Sequence, residues 1–448
     1  MKFPHPLALL TGCIAIAAAL TWVLPAGEYT RQHDAVTGRD VVVPGTFHAV
    51  APTPVSPFQA VVAVPRGLAD AGSVVFLVLL VGGAFVVVDQ TGALRQATGA
   101  LARSLEGRAT LVIPVIGLFF ATGGALENMS EEIIAMIPVL LVLMRQIGFD
   151  PLVAVAVSLG SAAVGAAFSP INPFQVGIAQ KLAQLPLESG WAFRCVVLAI
   201  ALAIWLGVTM RYAEKTKRAD GQTGGRAEET VPERSGGRGG IVLALVLGTF
   251  AIFVYGVLQL GWDFDQMSAL FFIMGIVAGL VGGLGVQGTA AAFAEGFGSM
   301  AYAAALIGFA RGIFVVLSEG HIIDTVVHGV FTPIGQLPIA VSALVMMLAH
   351  VAIHFPVPSV SGQAVLTMPV LVPLSDLLRL PRQVTVLSFQ YGAGLSELFW
   401  PTNGSLMAIV AVAGISYERW LKFAVPRAML LYGVAAGAIL VAITIGLR

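Results

Sequence analysis

Two short polar sequences interrupt apolar stretches of this 448-residue chain, and both carry residue types suited to binding a small solute. Pro170 and Asn172 form the first Pro-x-Asn sequence, and Pro401 and Asn403 form the second. Proline removes a main-chain donor and clashes with the preceding turn, so a helix unwinds there and frees carbonyl oxygens and amide donors. Such carbonyls suit Na⁺, and the start of the resumed helix suits a carboxylate. The alternative is a proline kink in which the two asparagines join neighbouring helices by hydrogen bonds.

A second pair of polar sequences covers residues 123–132 and 356–363. Both are too short and too polar to cross a bilayer, and they predict the tips of re-entrant hairpins, which must be covered by protein or face a water-filled cavity. An ordinary extramembrane turn is the alternative. The tips and the breaks together give the predicted substrate-contacting residues, which are Asn128, Ser130, Ser359, Ser361, Gln363, Thr402, Asn403 and Ser405.

Ionisable and polar residues inside apolar segments are costly, so they are candidates for ion or proton coupling. The predicted coupling residues are Glu131, Glu132, Ser169, Asn172 and Glu397. Glu132 could instead cap the helix that begins after Ser130. Arg311 is expected to pair with an embedded carboxylate rather than to meet a negative group of the substrate, and Pro170 and Pro401 are expected to be structural.

Two histidines and two cysteines are weaker candidates for chemistry. His350 and His354 are spaced to share one helical face and could relay protons, but no third metal ligand is evident, so we expect no metal site. Cys13 and Cys195 lie singly in apolar runs and are expected to pack as small side chains without a disulfide.

Composition indicates the elements that must position these residues. The chain is 57% hydrophobic and 11% charged, with a mean hydropathy of +0.90, so a bilayer is its expected solvent. Continuous apolar runs predict an all-α polytopic membrane protein rather than a barrel, whose strands alternate. A net charge of zero gives no support for a nucleic-acid partner.

The apolar runs predict eleven spans and three regions. The regions are a first transmembrane repeat at 1–210, a basic linker at 211–240 and a second repeat at 241–448. Short basic loops stay cytoplasmic, so the linker is expected in the cytoplasm. If the N-terminus is also cytoplasmic, five spans would place the linker outside, so either one crossing is missing from the count or one predicted span does not cross. The predicted spans are 7–24, 72–89, 109–123, 150–168, 191–212, 240–260, 267–285, 300–318, 338–354, 383–400 and 421–446.

The two halves match each other at one constant offset. Asn172 and Asn403 are 231 residues apart, and the same offset relates Ser130 to Ser361. This register predicts a duplication, which carriers commonly use as two inverted structural repeats, each here with a re-entrant hairpin and a broken helix.

Several motifs resemble the YfcC-type branch of the C4-dicarboxylate anaerobic carrier family, within the ion transporter superfamily. The likeness covers nearly the whole chain, although this chain has Glu397, Phe399 and Trp400 where relatives tend to have small residues and a threonine. The motifs are TWVLPAGEY at 21–29, NPFQVGIAQ at 172–180, Ala-Arg-Gly at 310–312, SGQA at 361–364 and Thr-Met-Pro at 367–369.

The resemblance implies a secondary active transporter, not an enzyme. It would be an ion-coupled symporter or antiporter that moves a small carboxylate-bearing solute, such as an amino acid or a C4-dicarboxylate, by alternating access. An intramembrane enzyme or a channel is the alternative. No cofactor is expected, Na⁺ or H⁺ could be the coupling ion, and the expected location is the bacterial inner membrane, where the chain could form a homodimer.

Overall fold

The protein is described by a computed structural model over residues 5–34, 39–93, 109–217, 238–260 and 262–447. These residues are mostly helical. The longer helices are α1 Pro6–Val23, α2 Pro57–Asp70, α3 Gly72–Gln90, α4 Val112–Glu127, α5 Glu131–Gln146, α6 Pro151–Ala167, α7 Ile178–Leu182, α8 Trp191–Thr216, α9 Arg238–Leu260, α10 Phe264–Val281, α11 Gly285–Glu319, α12 Ile323–Phe331, α13 Ile339–Ile353, α14 Val360–Leu377, α15 Arg382–Ser396, α16 Gly404–Val412 and α17 Tyr417–Thr444.

Within the described residues, seven helices are long and apolar enough to cross a bilayer: α1, α3, α8, α10, α11, α14 and α17. Large apolar side chains on several of them are exposed, among them Val23, Val196 and Ile273. A contiguous exposed apolar surface is what lipid tails solvate. The prediction of a helical, multi-pass membrane protein is therefore confirmed.

Some sequence-based boundaries were wrong. The predicted spans omitted α5 and α14, because their polar first turns hide apolar helices that follow. The predicted span 300–318 is the second half of α11, which has 35 residues. Four short strands also occur between α1 and α2, where Gly27–Glu28 (β1) pairs with His48–Ala49 (β4) and Arg31–Asp34 (β2) pairs with Arg39–Val42 (β3).

The same order of elements occurs twice. Two helices joined by a tip, called a pair of arms here, come first: α4 with α5, and later α13 with α14. An interrupted helix follows, α6 to α7 and later α15 to α16, and then a long helix, α8 and later α17. The first arm of each pair packs on the interrupted helix of its own half, α4 on α6 and α13 on α15. The second arm packs on the resumed helix of the other half, α5 on α16 and α14 on α7. This reciprocal exchange places both interruptions in the centre, where α6 crosses α15.

Glycines allow the first of these crossings to be very close. A Cβ on Gly124 of α4 would lie 2.0 Å from the Ala162 oxygen, and one on Gly165 of α6 would lie 2.0 Å from the Ala121 oxygen. Small residues at such a contact let two main chains approach. The crossing therefore fixes where the tip between α4 and α5 lies relative to the interruption after α6.

The four strands form a cap on one face of the protein. β3 packs against α14, and the Tyr29 amide and the Arg31 guanidinium both donate to the buried Asp324 of α12, at 2.9 and 2.8 Å. Phe47 stacks on His328 with ring centroids 4.1 Å apart. The cap therefore joins α12 to the second pair of arms.

The division into halves stays a prediction, as does their inverted relation. α8 continues to Thr216, and α9 begins at Arg238. Most of the predicted basic linker at 211–240 lies outside the described residues.

Candidate functional site

The first interruption is closed by its own side chains. α6 ends at Ala167, and a π-helical turn begins at Pro173. Asn172 caps this turn, because its Oδ1 accepts from the Phe174 and Gln175 amides at 2.9 Å each. Ser169 Oγ accepts from the Asn172 amide at 2.9 Å. The proline thus interrupts the helix as expected, and the freed amides are satisfied locally.

The same two polar side chains hold the tip of the first pair of arms. Asn172 Nδ2 donates to the Gly124 oxygen at 2.8 Å, and Ser169 Oγ donates to the Ala125 oxygen at 2.7 Å. Both residues are fully buried. Ser169 and Asn172, which were predicted to couple ions, join the tip to the interruption through these hydrogen bonds.

Asn128 stands at the tip itself. It adopts a left-handed conformation, with φ of 56°, at the end of α4. Its Oδ1 accepts from Gln175 Nε2 at 2.5 Å. Gln175 Oε1 is buried and has no hydrogen-bond partner among the described residues, and it lies beside Gly394 of α15. This amide oxygen is therefore one acceptor open to a ligand at the crossing of the two interrupted helices.

The predicted acidic residues follow directly after the tip. Ser130 Oγ donates to Glu131 at 2.5 Å, and the Ser130 amide donates to Glu132 at 3.1 Å. Glu132 thereby satisfies an amide at the start of α5, which agrees with the alternative capping role. Glu131 is half-buried and faces the second half of the chain.

The second interruption combines a capping asparagine with an unpaired hydroxyl. Asn403 caps α16 by accepting from the Leu406 amide at 3.1 Å, and its Nδ2 donates to the main-chain oxygen of Glu397 at 3.3 Å. Thr402 is buried, and its Oγ1 has no hydrogen-bond partner among the described residues. Ser405 is buried in the first turn of α16, after Pro401.

Several freed carbonyl oxygens that could have held Na⁺ are already hydrogen-bonded. Trp420 Nε1 donates to the Leu398 oxygen at 2.7 Å, and the Tyr417 hydroxyl donates to the Phe399 oxygen. In the first interruption, Gln390 Nε2 donates to the Ser169 oxygen at 2.7 Å. Because these carbonyl oxygens already accept hydrogen bonds, carboxylates are better candidates than main-chain oxygens for holding a cation.

Two carboxylates, one from each pair of arms and interruption, lie close to this centre. Glu397 is buried at the end of α15, and it lies within electrostatic reach of Glu131. α5, which begins at Glu131, packs on α16, which resumes after the second interruption. The structure therefore brings together the first tip, the first interruption and the second interruption.

The second tip has its own hydrogen-bond partners. Ser359 is exposed and caps α14 by accepting from the Gly362 amide at 3.2 Å, and Ser361 is half-buried in the same turn. Gln363 is buried among histidines, with Nε2 at 3.0 Å from His350 Nδ1 and Oε1 at 3.3 Å from His354 Nδ1. Gln363 thus joins α14 to the end of α13 by hydrogen bonds.

Arg311 lies outside the centre. It forms an ion pair with Asp70 at the end of α2, and this carboxylate is half-exposed rather than embedded. Its guanidinium also lies 4.6 Å from the centroid of the Phe314 ring. Within the described residues, no group of three His, Cys, Asp or Glu side chains could hold a metal.

Sequence reasoning missed one buried charge. Arg194 of α8 is fully buried and donates to the Gln390 oxygen at 3.2 Å and the Gln383 oxygen at 3.0 Å. Gln390 in turn donates to the main-chain oxygen of Ser169, so the Arg194 guanidinium helps to position the first interruption through the Gln390 side chain. The available signal was an arginine within the apolar run at 191–212.

A multi-pass helical membrane protein with two interrupted helices and two arm pairs is the architecture these observations define. The family model "C4-dicarboxylate anaerobic carrier" matches residues 3–444. A protein of Escherichia coli strain K12 named "Putative basic amino acid antiporter YfcC" is 32% identical over 466 aligned residues, covering 94% of this chain and 92% of that protein. An uncharacterized protein of Haemophilus influenzae is 26% identical, covering 95% of this chain and 94% of that protein.

The chain therefore belongs to the C4-dicarboxylate anaerobic carrier family, in its YfcC-type branch, and the resemblance drawn from its motifs is confirmed. It is a transporter of bacterial type that works on a small molecule within a lipid bilayer. The Alcanivorax borkumensis YdaH transporter has a TM-score of 0.46 to this structure, with 16% identity and 99% of each chain covered. Neisseria gonorrhoeae MtrF has a TM-score of 0.43, with 16% identity, 99% of this chain and 96% of that chain covered.

Proposed function

We propose that this transporter is an ion-coupled symporter or antiporter that moves a carboxylate-bearing solute, an amino acid or a C4-dicarboxylate, by alternating access. The observation that carries the proposal is the packing of α5, which begins at Glu131 beside the first tip, on α16, which resumes after the second interruption and follows Glu397. Groups from both halves of the chain share one central site, so a relative movement of the two units would change the site itself.

The carboxylate pair is the proposed coupling site. Two neighbouring carboxylates in surroundings of low dielectric constant attract a shared proton or a cation such as Na⁺. Movement of α5 against α16 would separate Glu131 from Glu397 and release that ion. The bound ion therefore favours one arrangement of the two halves over the other.

The second interruption is the proposed place for the solute. The start of α16 presents main-chain amides, which favour a carboxylate. Thr402 Oγ1 is an unpartnered hydroxyl in the same interruption, with Asn403 and Ser405 beside it. On the other side of the helix crossing, Gln175 Oε1 is an acceptor suited to an ammonium group. A site with both kinds of group fits an amino acid, the substrate class in the name of the Escherichia coli relative.

Counterflow in proteoliposomes tests the proposal. The full-length protein is reconstituted with unlabelled L-arginine or succinate inside, and uptake of the same labelled solute is followed with and without Na⁺ and with an imposed pH gradient. We expect saturable counterflow of one solute that depends on one of these ions. No counterflow across basic, neutral and acidic amino acids and C4-dicarboxylates would refute the proposal, and a conductance that does not saturate would indicate a channel instead.

The Glu131→Gln variant tests whether the carboxylate pair holds the coupling ion. We expect this variant to lose the ion dependence of net uptake, with a fall of at least about 10-fold. Asp265→Asn, at an exposed position in the first turn of α10, is the matched control and should behave as the wild type. Unchanged ion dependence in Glu131→Gln would show that the coupling site lies elsewhere.

Location and assembly form the remaining part of the proposal. The family consists of bacterial carriers, and we place this chain in the inner membrane with the basic linker in the cytoplasm. A homodimer is proposed without a specific interface. Fractionation of cells and the mass of the purified detergent complex test these two points.

A further inference from the structure

The described residues enclose a cavity of about 520 Å³ that is separate from the central carboxylate pair. It lies between the cap of four strands, the end of α11, the start of α12 and the second tip. This volume falls in the range of about 300–1,000 Å³ that small-molecule pockets usually have. The cavity can therefore hold a metabolite, and Ser359 of the second tip lines it.

Charges of both signs face this cavity. Glu28 and Asp40 come from the cap, and Arg311 comes from α11. Other charged wall residues are already committed to each other, since Arg31 donates to Asp324 at 2.8 Å. Burial, followed by the negative charge of Asp324, raises the pKa of the neighbouring Tyr29 hydroxyl to about 12, so this phenol stays neutral. The mixed wall suits a ligand that itself carries both signs.

Arg311 is held in the geometry that recognises a carboxylate. Its Nε is fixed by Asp70, and its planar group lies against Phe314, which also lines the cavity. No hydrogen bond from its two terminal nitrogens is found within the described part of the chain. A guanidinium fixed in this way offers both terminal nitrogens as a fork to a carboxylate.

Acceptors for an ammonium group face the same space. Glu28 contacts His321 through one carboxylate oxygen, which leaves the second oxygen for a cation. Asp40 has a largely exposed side chain that contacts His33 at 3.2 Å. Both acids lie on the cap, whereas Arg311 lies on α11, so the two ends of one ligand would join the cap to the helix.

We propose that this cavity is an entry site that binds a zwitterionic α-amino acid, with its carboxylate on Arg311 and its ammonium group on Glu28 and Asp40, beside the second tip. The proposal rests on the transport function proposed above, and it assigns a second site to that pathway. Because Val357, Pro358 and Ser359 line the cavity, the occupied site lies directly against the tip that would have to open.

Direct binding tests the entry site without transport. Labelled L-arginine, L-lysine and L-alanine are titrated onto the full-length purified protein in nanodiscs, with agmatine and succinate as probes that lack the carboxylate or the ammonium group. We expect Arg311→Gln to weaken amino-acid binding at least about 10-fold, and Asp40→Asn to weaken it about 3-fold. Arg66→Gln is the matched control, because Arg66 also forms an ion pair between α2 and α11, with Glu319, but does not line the cavity, and its affinity should stay within about 3-fold of the wild type.

The outcomes separate the two proposals. Amino-acid binding that depends on Arg311, in a protein without counterflow, supports the entry site and refutes transport. Counterflow with the same dissociation constant and KM in Arg311→Gln as in the wild type overturns the entry site alone. Equal losses in Arg311→Gln and Arg66→Gln show that the effect comes from the ion pairs between α2 and α11 and not from the cavity, which also overturns the entry site, as does the absence of binding by all three amino acids.

Discussion

The two interruptions have the same Pro-x-Asn sequence but differ in how their polar groups are used. At the first, Asn172 and Ser169 are saturated by hydrogen bonds and fasten the tip between α4 and α5. At the second, Thr402 keeps an unpartnered hydroxyl, and Glu397 lies near another carboxylate. The comparison indicates that Asn172 and Ser169 form a fixed frame beside the unpaired Gln175 oxygen, whereas the second interruption retains a hydroxyl and a carboxylate for ligands.

The largest expected effect comes from removing the joint at the first interruption. Asn172→Ala deletes a cap and a buried bond to the Gly124 oxygen, so we expect a loss of about 2–4 kcal/mol in unfolding free energy. Asn403→Ala is the matched variant and should cost about 1 kcal/mol, because its second bond is long. Thermal and denaturant unfolding in one detergent gives both values, and equal losses would contradict the difference between the interruptions.

The next effect concerns the carboxylates. Glu397→Gln should reduce ion-coupled uptake at least about 10-fold while leaving stability unchanged or slightly higher, because a buried negative charge near Glu131 is removed. Uptake rates at several ion concentrations and the unfolding midpoint measure the two effects. The double variant with Glu131→Gln should lose no more than either single variant, since both act on one ion. Additive losses would mean that they act at separate sites.

A smaller effect on the unfolding free energy is expected for Trp400, which joins the second interruption to α13. Trp400 Nε1 donates to the Val351 oxygen at 2.7 Å, and its ring contacts Phe355 edge to face. Trp400→Phe keeps an aromatic ring and loses the bond, so we expect a loss of about 1 kcal/mol. Unfolding midpoints test this, with Trp191→Phe, at an exposed position, as the control. A loss as large as that in Asn172→Ala would show that both arms are fastened alike.

The smallest effect on folding should come from Thr402. Thr402→Val removes a buried hydroxyl that has no partner, so stability should stay within about 0.5 kcal/mol of the wild type. If this hydroxyl meets the solute, KM in counterflow should rise about 5-fold, and Thr402→Ser should restore it. An unchanged KM in Thr402→Val would remove this residue from the proposed site.

The sequence determined the solvent, the helical class and the positions of both interruptions. Hydropathy alone specified a bilayer. A bilayer in turn favours helices, because a helix satisfies its main-chain hydrogen bonds internally. Pro170 and Pro401 marked the interruptions because proline disrupts a helix through its own ring. The second arms α5 and α14 escaped notice, since their polar first turns lowered the apparent length of each apolar run.

Only the tertiary structure decided what each polar residue does. Asn172 and Asn403 share the Pro-x-Asn motif, yet of the two it is Asn172 that reaches the main chain of a packed tip. Arg311 pairs with Asp70, and Arg194 reaches Gln390, across long separations in sequence. The physical reason is that a buried polar group takes its role from the partner that packing brings to it, and such partners come from other helices.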